Sequence, residues 1–226
     1  MHGCTSPTEE LQTERTWRLT AAFLETAVGS TTALEGLLAR LYRRDTEALA
    51  HLHRVAELAT KIAEELDMPA EQVADLQRAA LLHDIGRLVL PDPPALAATR
   101  PDASTLQRRA AQIRTACQVA SDIPFLAPAG AILAAAVECF DGTGFPEGRR
   151  GEDIPLAARV LHLADTLDAL NAICEALAAP AETASAELVR QAGSRFDPEV
   201  VAAWLRCEED VPPAVVPWWS SAARMN

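Results

Sequence analysis

The sequence has little of what strands and nucleic-acid grips are made from. Aromatics are 4% of its 226 residues and Lys61 is the single lysine. Strand-favouring residues are thin while Ala, Leu, Glu and Arg are abundant, so the chain reads as mostly helical. Lys plus Arg number 20 against 32 Asp plus Glu, a net charge of −12. That balance argues against an electrostatic grip on DNA, RNA or an anionic membrane surface. No apolar run reaches the roughly 20 residues a membrane span needs. Met1 to Arg18 is polar and acidic, without the apolar core of a signal peptide, so a cytoplasmic protein is expected. Five cysteines are scattered with no C-x-x-C pair, which argues against a zinc ribbon or a disulfide framework. What is present, 49% hydrophobic and 23% charged residues, is enough to bury a sizeable core and excludes wholesale disorder.

Periodicity and punctuation divide the chain into helices. One is expected from Glu9 to Ala27, ended by Gly29-Ser30, and a second over Thr32 to Arg43. Asp45 opens a long third through Leu66. Asp67-Met68-Pro69 stops it, and the next helix carries Val73, Leu76 and Ala80 to Leu82 before finishing near Gly86. The prolines between Leu90 and Asp102 demand a loop. Helices resume over Ser104 to Ser121 and Pro128 to Glu138, followed by a Gly-rich connection from Asp141 to Asp153. A long apolar helix follows Pro155 and runs to Leu177, then shorter ones span Glu182 to Ala192 and Pro198 to Cys207. The domain reading is an N-terminal helical extension over 1–30, a helical body over 31–210, and a Pro/Trp-containing tail over 211–226 that includes Trp218-Trp219.

Four polar residues interrupt apolar helical runs. His83 and Asp84 stand in Ala80-Leu81-Leu82-His83-Asp84-Ile85-Gly86, His51 lies on the preceding long helix, and Asp165 follows Leu163-Ala164 on the helix after Pro155. Burying the adjacent His83 and Asp84 costs several kcal/mol unless something satisfies them. Two imidazoles and two carboxylates from three helices make a ligand set suited to one divalent transition metal such as Fe or Mn. His53 and His162 fit no ligand position and read as surface or packing residues.

These residues resemble the HD superfamily of metal-dependent phosphohydrolases, in particular its HD-GYP branch. The likeness begins at Arg44-Asp45-Thr46 and continues through His51-Leu52-His53-Arg54-Val55-Ala56 and Leu81-Leu82-His83-Asp84-Ile85-Gly86-Arg87. It resumes at Asp141-Gly142-Thr143-Gly144-Phe145-Pro146-Glu147-Gly148, then Ile154-Pro155 into Ala164-Asp165-Thr166-Leu167-Asp168, and closes at Phe196-Asp197-Pro198-Glu199. The resemblance implies an all-α HD-type bundle with an extra N-terminal helix and an extended C-terminal tail. It also implies hydrolysis of cyclic di-GMP with two or more metals, and His51, His83, Asp84 and Asp165 match its ligand positions. Asp84 and Arg87 then stand as catalytic residues. Arg87, Gly142 and Gly144 would face substrate, although the Gly-rich segment can equally be a plain helix connection.

Departures from the pattern fall in the site. Three further histidines of the family align with Ala116, Ala136 and Val137, and no histidine occurs from residue 84 to 161. The GYP signature reads Gly144-Phe145-Pro146, the lysine after the His-Asp dyad is Arg87, and the Arg-Pro-Tyr element is unrecognisable in Asn171-Ala172-Ile173-Cys174. The four survivors are those that hold a single metal in simpler relatives, and the losses belong mostly to the second. Two functions follow from the sequence: a one-metal phosphohydrolase acting on a nucleotide or phosphodiester, and a catalytically silent module that binds a nucleotide or a signalling protein partner.

Overall fold

The computed structural model describes residues 30–90, 103–178 and 182–208, together with Arg15 and Arg18. The expected helix over Glu9 to Ala27, most of the Pro-rich loop and the tail with Trp218-Trp219 lie outside these residues.

Eight α-helices form the described body: α1 (Thr31–Leu41), α2 (Thr46–Glu65), α3 (Ala70–Leu82), α4 (Ala103–Ser121), α5 (Ala127–Ala135), α6 (Leu156–Ala176), α7 (Glu182–Arg190) and α8 (Pro198–Cys207). No β-strand occurs among the described residues. Their starts follow local chemistry. The Asp45 carboxylate accepts from the Ala48 N–H at 3.0 Å and opens α2, and Asp197 accepts from the Glu199 N–H at 2.8 Å and opens α8. Pro69 and Pro155 precede α3 and α6 in extended conformation, where a missing N–H costs nothing.

Helix α6 is the hub, packing against α2, α3, α5, α7 and α8. Between Ala158 and Asp168 it is buried nearly all round, with Val160, Leu161, Leu163, Ala164 and Leu167 all within the core. Such a helix has little amphipathic contrast, so any polar residue it carries needs a partner inside the protein. Leu52, Val55 and Ile62 of α2 and Leu76, Leu81 and Leu82 of α3 complete the core around it. Each fully buried leucine contributes about 1.5–3 kcal/mol.

Two helices end earlier than their sequence pattern indicates. Helix α3 stops at Leu82, and the chain tightens into a 3₁₀ turn over Ile85–Leu88, so His83 and Asp84 occupy the junction. Gly86 makes this possible: a Cβ there would sit 2.1 Å from the Gln112 carbonyl oxygen on α4, so only glycine lets the turn press so closely. Helix α5 ends at Ala135, leaving Ala136 and Val137 in a turn. Glu138 is pinned just beyond. It is buried, its side chain accepts from the Glu147 N–H at 2.7 Å, and its carbonyl accepts from His162 Nδ1 at 2.9 Å.

Candidate metal centre

His51 comes from α2, His83 from the end of α3 and Asp165 from α6, and the three side chains converge. His51 Nε2 and His83 Nε2 are 3.1 Å apart, and Asp165 Oδ1 is 3.5 Å from the first and 3.4 Å from the second. Among the described residues this is the one cluster of His, Cys, Asp or Glu with metal-binding geometry.

Hydrogen bonds on the far side of each ring fix what the near side offers. His83 Nδ1 is 2.7 Å from the Ala80 carbonyl, which can only accept, so this nitrogen carries the proton. His51 Nδ1 donates in the same way to Asp168 Oδ2 at 2.7 Å. Both Nε2 atoms of the neutral rings therefore present lone pairs to each other and to a carboxylate oxygen. Three lone pairs this close repel unless a cation or proton lies among them. Ligands about 2.1 Å from an ion at angles of 90–110° stand about 3.0–3.4 Å apart, which matches the observed separations. The residues present fit a divalent ion.

Without a metal the centre holds protons tightly. Burial pushes His83 down, but the Asp165 and Asp84 charges outweigh it and lift its pKa to about 9. His51 is likewise raised, its bonds to Asp165 and Asp168 overcoming burial. Burial works against the Asp165 charge, yet the histidines and Arg109 hold its carboxyl well below the usual range.

Asp84 stands one step outside the triad. Its oxygens approach the His51 and His83 Nε2 atoms only to 3.9 Å, and its Oδ2 accepts from Arg87 Nη1 at 2.5 Å. The structure thus brings all four sequence-indicated ligands together, three in mutual contact range and Asp84 held back by Arg87. Gly142 and Gly144 lie on the connection before α6, and both have backbone reasons to be glycine. Gly142 has φ of 84°, and a Cβ on Gly144 would lie 2.2 Å from the Cys139 nitrogen. Ala116 is buried and Ala136 packs against the core, so these positions, with Val137, offer no ligand atom for a second ion.

Asp168 is a site residue that the sequence reasoning left without a role. It is 5% exposed and accepts from His51 and from Arg54, whose Nε and Nη2 approach its two oxygens at 2.7 and 3.1 Å. Its signal was available: Asp165 and Asp168 are three residues apart and share one face of an otherwise apolar helix. His162 proves to be a packing residue. It is buried, accepts from Arg195 Nε at 3.1 Å and meets the Phe196 ring edge to face. A surface groove of about 670 Å³ shares Arg54 and Asp168 with the centre but none of His51, His83, Asp84 and Asp165.

The family model for the HD domain matches residues 34–200. This chain belongs to the HD domain family. The HD fold is also that of two solved structures. A Vibrio cholerae phosphodiesterase described as specific for cyclic GMP-AMP superposes with TM-score 0.54 at 23% identity, covering 78% of this chain and 48% of that one. The HDG"Y"P protein Bd1817 of Bdellovibrio bacteriovorus gives 0.60 at 16% identity, covering 90% and 72%. Among curated HD relatives, the cyclic di-GMP phosphodiesterase response regulator RpfG of Xanthomonas campestris is 33% identical over 84% of this chain and 51% of its own. A cyclic di-GMP phosphodiesterase of Thermotoga maritima is 32% identical over 74% and 46%. The chain therefore spans about half the length of these relatives. HD domains are metal-dependent, and His51, His83 and Asp165 here bring three ligand atoms within the spacing an ion requires. No described helix is long and apolar enough to cross a membrane.

Proposed function

We propose that the chain is a metal-dependent phosphodiesterase that hydrolyses a cyclic dinucleotide in bacterial signalling, using a single divalent transition ion, Fe or Mn. The observation that carries this reading is the convergence of three lone pairs, His51 Nε2, His83 Nε2 and Asp165 Oδ1, each at 3.1–3.5 Å from the other two. Relatives that hydrolyse cyclic di-GMP, and others named for 3'3'-cGAMP, support the substrate class. Held there, the ion supplies Lewis acidity toward a phosphoryl oxygen and the means to activate water at neutral pH.

The protein's own groups divide the remaining work. Asp168 and the Ala80 carbonyl lock both imidazoles with Nε2 facing the centre. Asp84, 3.9 Å from both rings, is the carboxylate placed to complete the ligand set or to orient the attacking water. Arg87, partly exposed and bonded to Asp84, holds a phosphate oxygen when substrate enters. Ala116, Ala136 and Val137, at the positions where the family carries further histidines, offer no ligand atom, which favours one ion over two.

The test is hydrolysis of cyclic di-GMP and 3'3'-cGAMP, followed by chromatography of the linear products, with Mn or Fe added and with chelator. Metal-dependent cleavage that disappears in Asp84→Ala is expected. Binding without cleavage, unaltered in Asp84→Ala, would instead identify a silent ligand-binding module.

A further inference from the structure

Two arginines at the edge of the centre have no part in holding the ion. Arg109 of α4 approaches Asp165 from the carboxylate oxygen the imidazoles do not use: Nη2 lies 3.5 Å from Oδ2, while Oδ1 faces His51 and His83. Arg195, on the connection between α7 and α8, lies along the same turn of α6. Its Nε donates to His162 Nε2 at 3.1 Å and its Nη2 to Thr166 Oγ1 at 3.2 Å. His162, Asp165 and Thr166 are spaced i, i+3 and i+4, so they form one ridge, and both guanidiniums border it.

The charge there is out of balance. Arg195 is half-buried, and among the described residues its hydrogen-bond partners are an imidazole and a hydroxyl, with no carboxylate bonded to it. Burial and the like charge of Arg109 both weaken its hold on its proton. His162, beside it, is kept neutral by burial and by the Arg195 charge. A chain with net charge −12 has carboxylates to spare, yet among the described residues no carboxylate pairs directly with Arg195, which feels Asp165 and Glu187 only at longer range. Asp165, the carboxylate paired with Arg109, turns its other oxygen to the metal ligands. Like charges that border one ridge and act on each other favour an anion that joins them.

We propose that Arg109 and Arg195 form an anion clamp that binds a phosphodiester group of the substrate beside the ion held by His51, His83 and Asp165. The clamp rests on the phosphodiesterase reading above and adds residues that no part of that reading assigns. Guanidinium groups suit the task because their planar forks reach two non-bridging phosphate oxygens at once. Arg87 approaches from Asp84 and the clamp from Asp165, so the substrate phosphate meets fixed positive charge on two flanks of the centre. With Ala116, Ala136 and Val137 in place of histidines, this charge comes from the protein where no second ion is held.

A purely structural Arg109 would only neutralise Asp165, and the two roles move metal and ligand in different directions. The experiment is isothermal titration of metal-free protein with cyclic di-GMP, 3'3'-cGAMP and bis(4-nitrophenyl) phosphate, a phosphodiester without a base. Bound metal is measured separately after reloading. Arg109→Gln should weaken phosphodiester binding about 10- to 100-fold. Metal per chain should hold steady or rise, because a cation that competes for Asp165 is gone. Arg195→Gln should weaken binding in the same way, and Arg195→Lys, which keeps the charge but loses the fork, should fall between. Arg109 is exposed, so its variant tests the clamp without risk to the fold. Wild-type binding with both glutamine variants within twofold of it would overturn the clamp and leave the phosphodiesterase reading standing. Binding of the base-free phosphodiester alone, lost in the variants, would uphold the clamp and overturn the cyclic dinucleotide reading. No binding of any probe to metal-free wild type would overturn the clamp, while the phosphodiesterase reading, which needs the ion, stands or falls on the hydrolysis assay with Mn or Fe.

Discussion

Replacing Asp168 with asparagine preserves side-chain volume and removes one charge behind the metal centre. Asp168 accepts from His51 Nδ1 at 2.7 Å and from Arg54 at 2.7 and 3.1 Å. Burial opposes its ionised form, but the bonds from Arg54 and His51 more than offset this and depress its pKa. An amide offers one acceptor where three donors converge. If its oxygen turns to His51, its NH₂ confronts Arg54; if it turns to Arg54, the NH₂ confronts the imidazole. His51 then loses the bond that aims Nε2 at the centre. A charge-assisted hydrogen bond contributes about 1.5–3 kcal/mol, and loss of a ligand-orienting partner typically lowers metal affinity 10- to 100-fold, or about 1.4–2.7 kcal/mol. Competition for Mn against a fluorescent chelator at pH 7.5 measures the change. Arg54→Gln, which leaves the Asp168–His51 bond in place, should cost much less. If Asp168→Asn binds Mn within twofold of wild type, the orienting role is wrong.

Other outcomes follow from the same geometry. Metal affinity should rise with pH until about 9, because His83 must release a proton that Asp165 and Asp84 help it hold; chelator competition at several pH values checks this. His162 acts on stability in the acid range. Burial and Arg195 depress its pKa from 6.5 to about 4, so the unfolded chain takes up a proton first and stability falls as pH drops through that window, by at most about 3 kcal/mol. In metal-free protein His83 works the other way, contributing stability that is full below pH 6.5 and lost as pH rises through about 9. The His162 contribution is therefore read as the difference between wild type and His162→Gln in urea titrations at pH 4.5 and 7. Gly86→Ala should destabilise by about 1–3 kcal/mol in thermal melts, since its Cβ would meet the Gln112 backbone. A melting temperature unchanged by that substitution would show that the 3₁₀ turn is looser than described.

Much of this architecture was legible in the residues because local chemistry punctuates it. Asp45, Pro69, Pro155 and Asp197 each mark a helix start found within a residue or two of its expected place. His51, His83 and Asp165 stood out because each breaks an apolar pattern. The helix ends at Leu82 and Ala135 were harder, since tertiary contacts rather than caps set them: Gly86 against Gln112 in one case, buried Glu138 in the other. Asp168 and Arg195 escaped a functional assignment for a related reason. Helix α6 is buried on nearly every side from Ala158 to Asp168, so its sequence there gives no contrast to say which polar residue faces a neighbour. Arg109 lies 56 residues from Asp165, and only the packing of α4 brings them together. The pairing of Asp84 with Arg87 follows their i, i+3 spacing, but the 3.9 Å that separates Asp84 from both imidazoles is set by packing that spacing does not encode.

The central claim is a single ion held by His51, His83 and Asp165. Elemental analysis of protein purified without chelator, alongside His83→Ala and Asp165→Ala, tests it most directly. The account predicts about one Fe or Mn per wild-type chain and loss of the ion in both variants, with helical circular dichroism retained. Wild-type protein that stays empty in excess Fe and Mn, or variants that keep the ion, would contradict it.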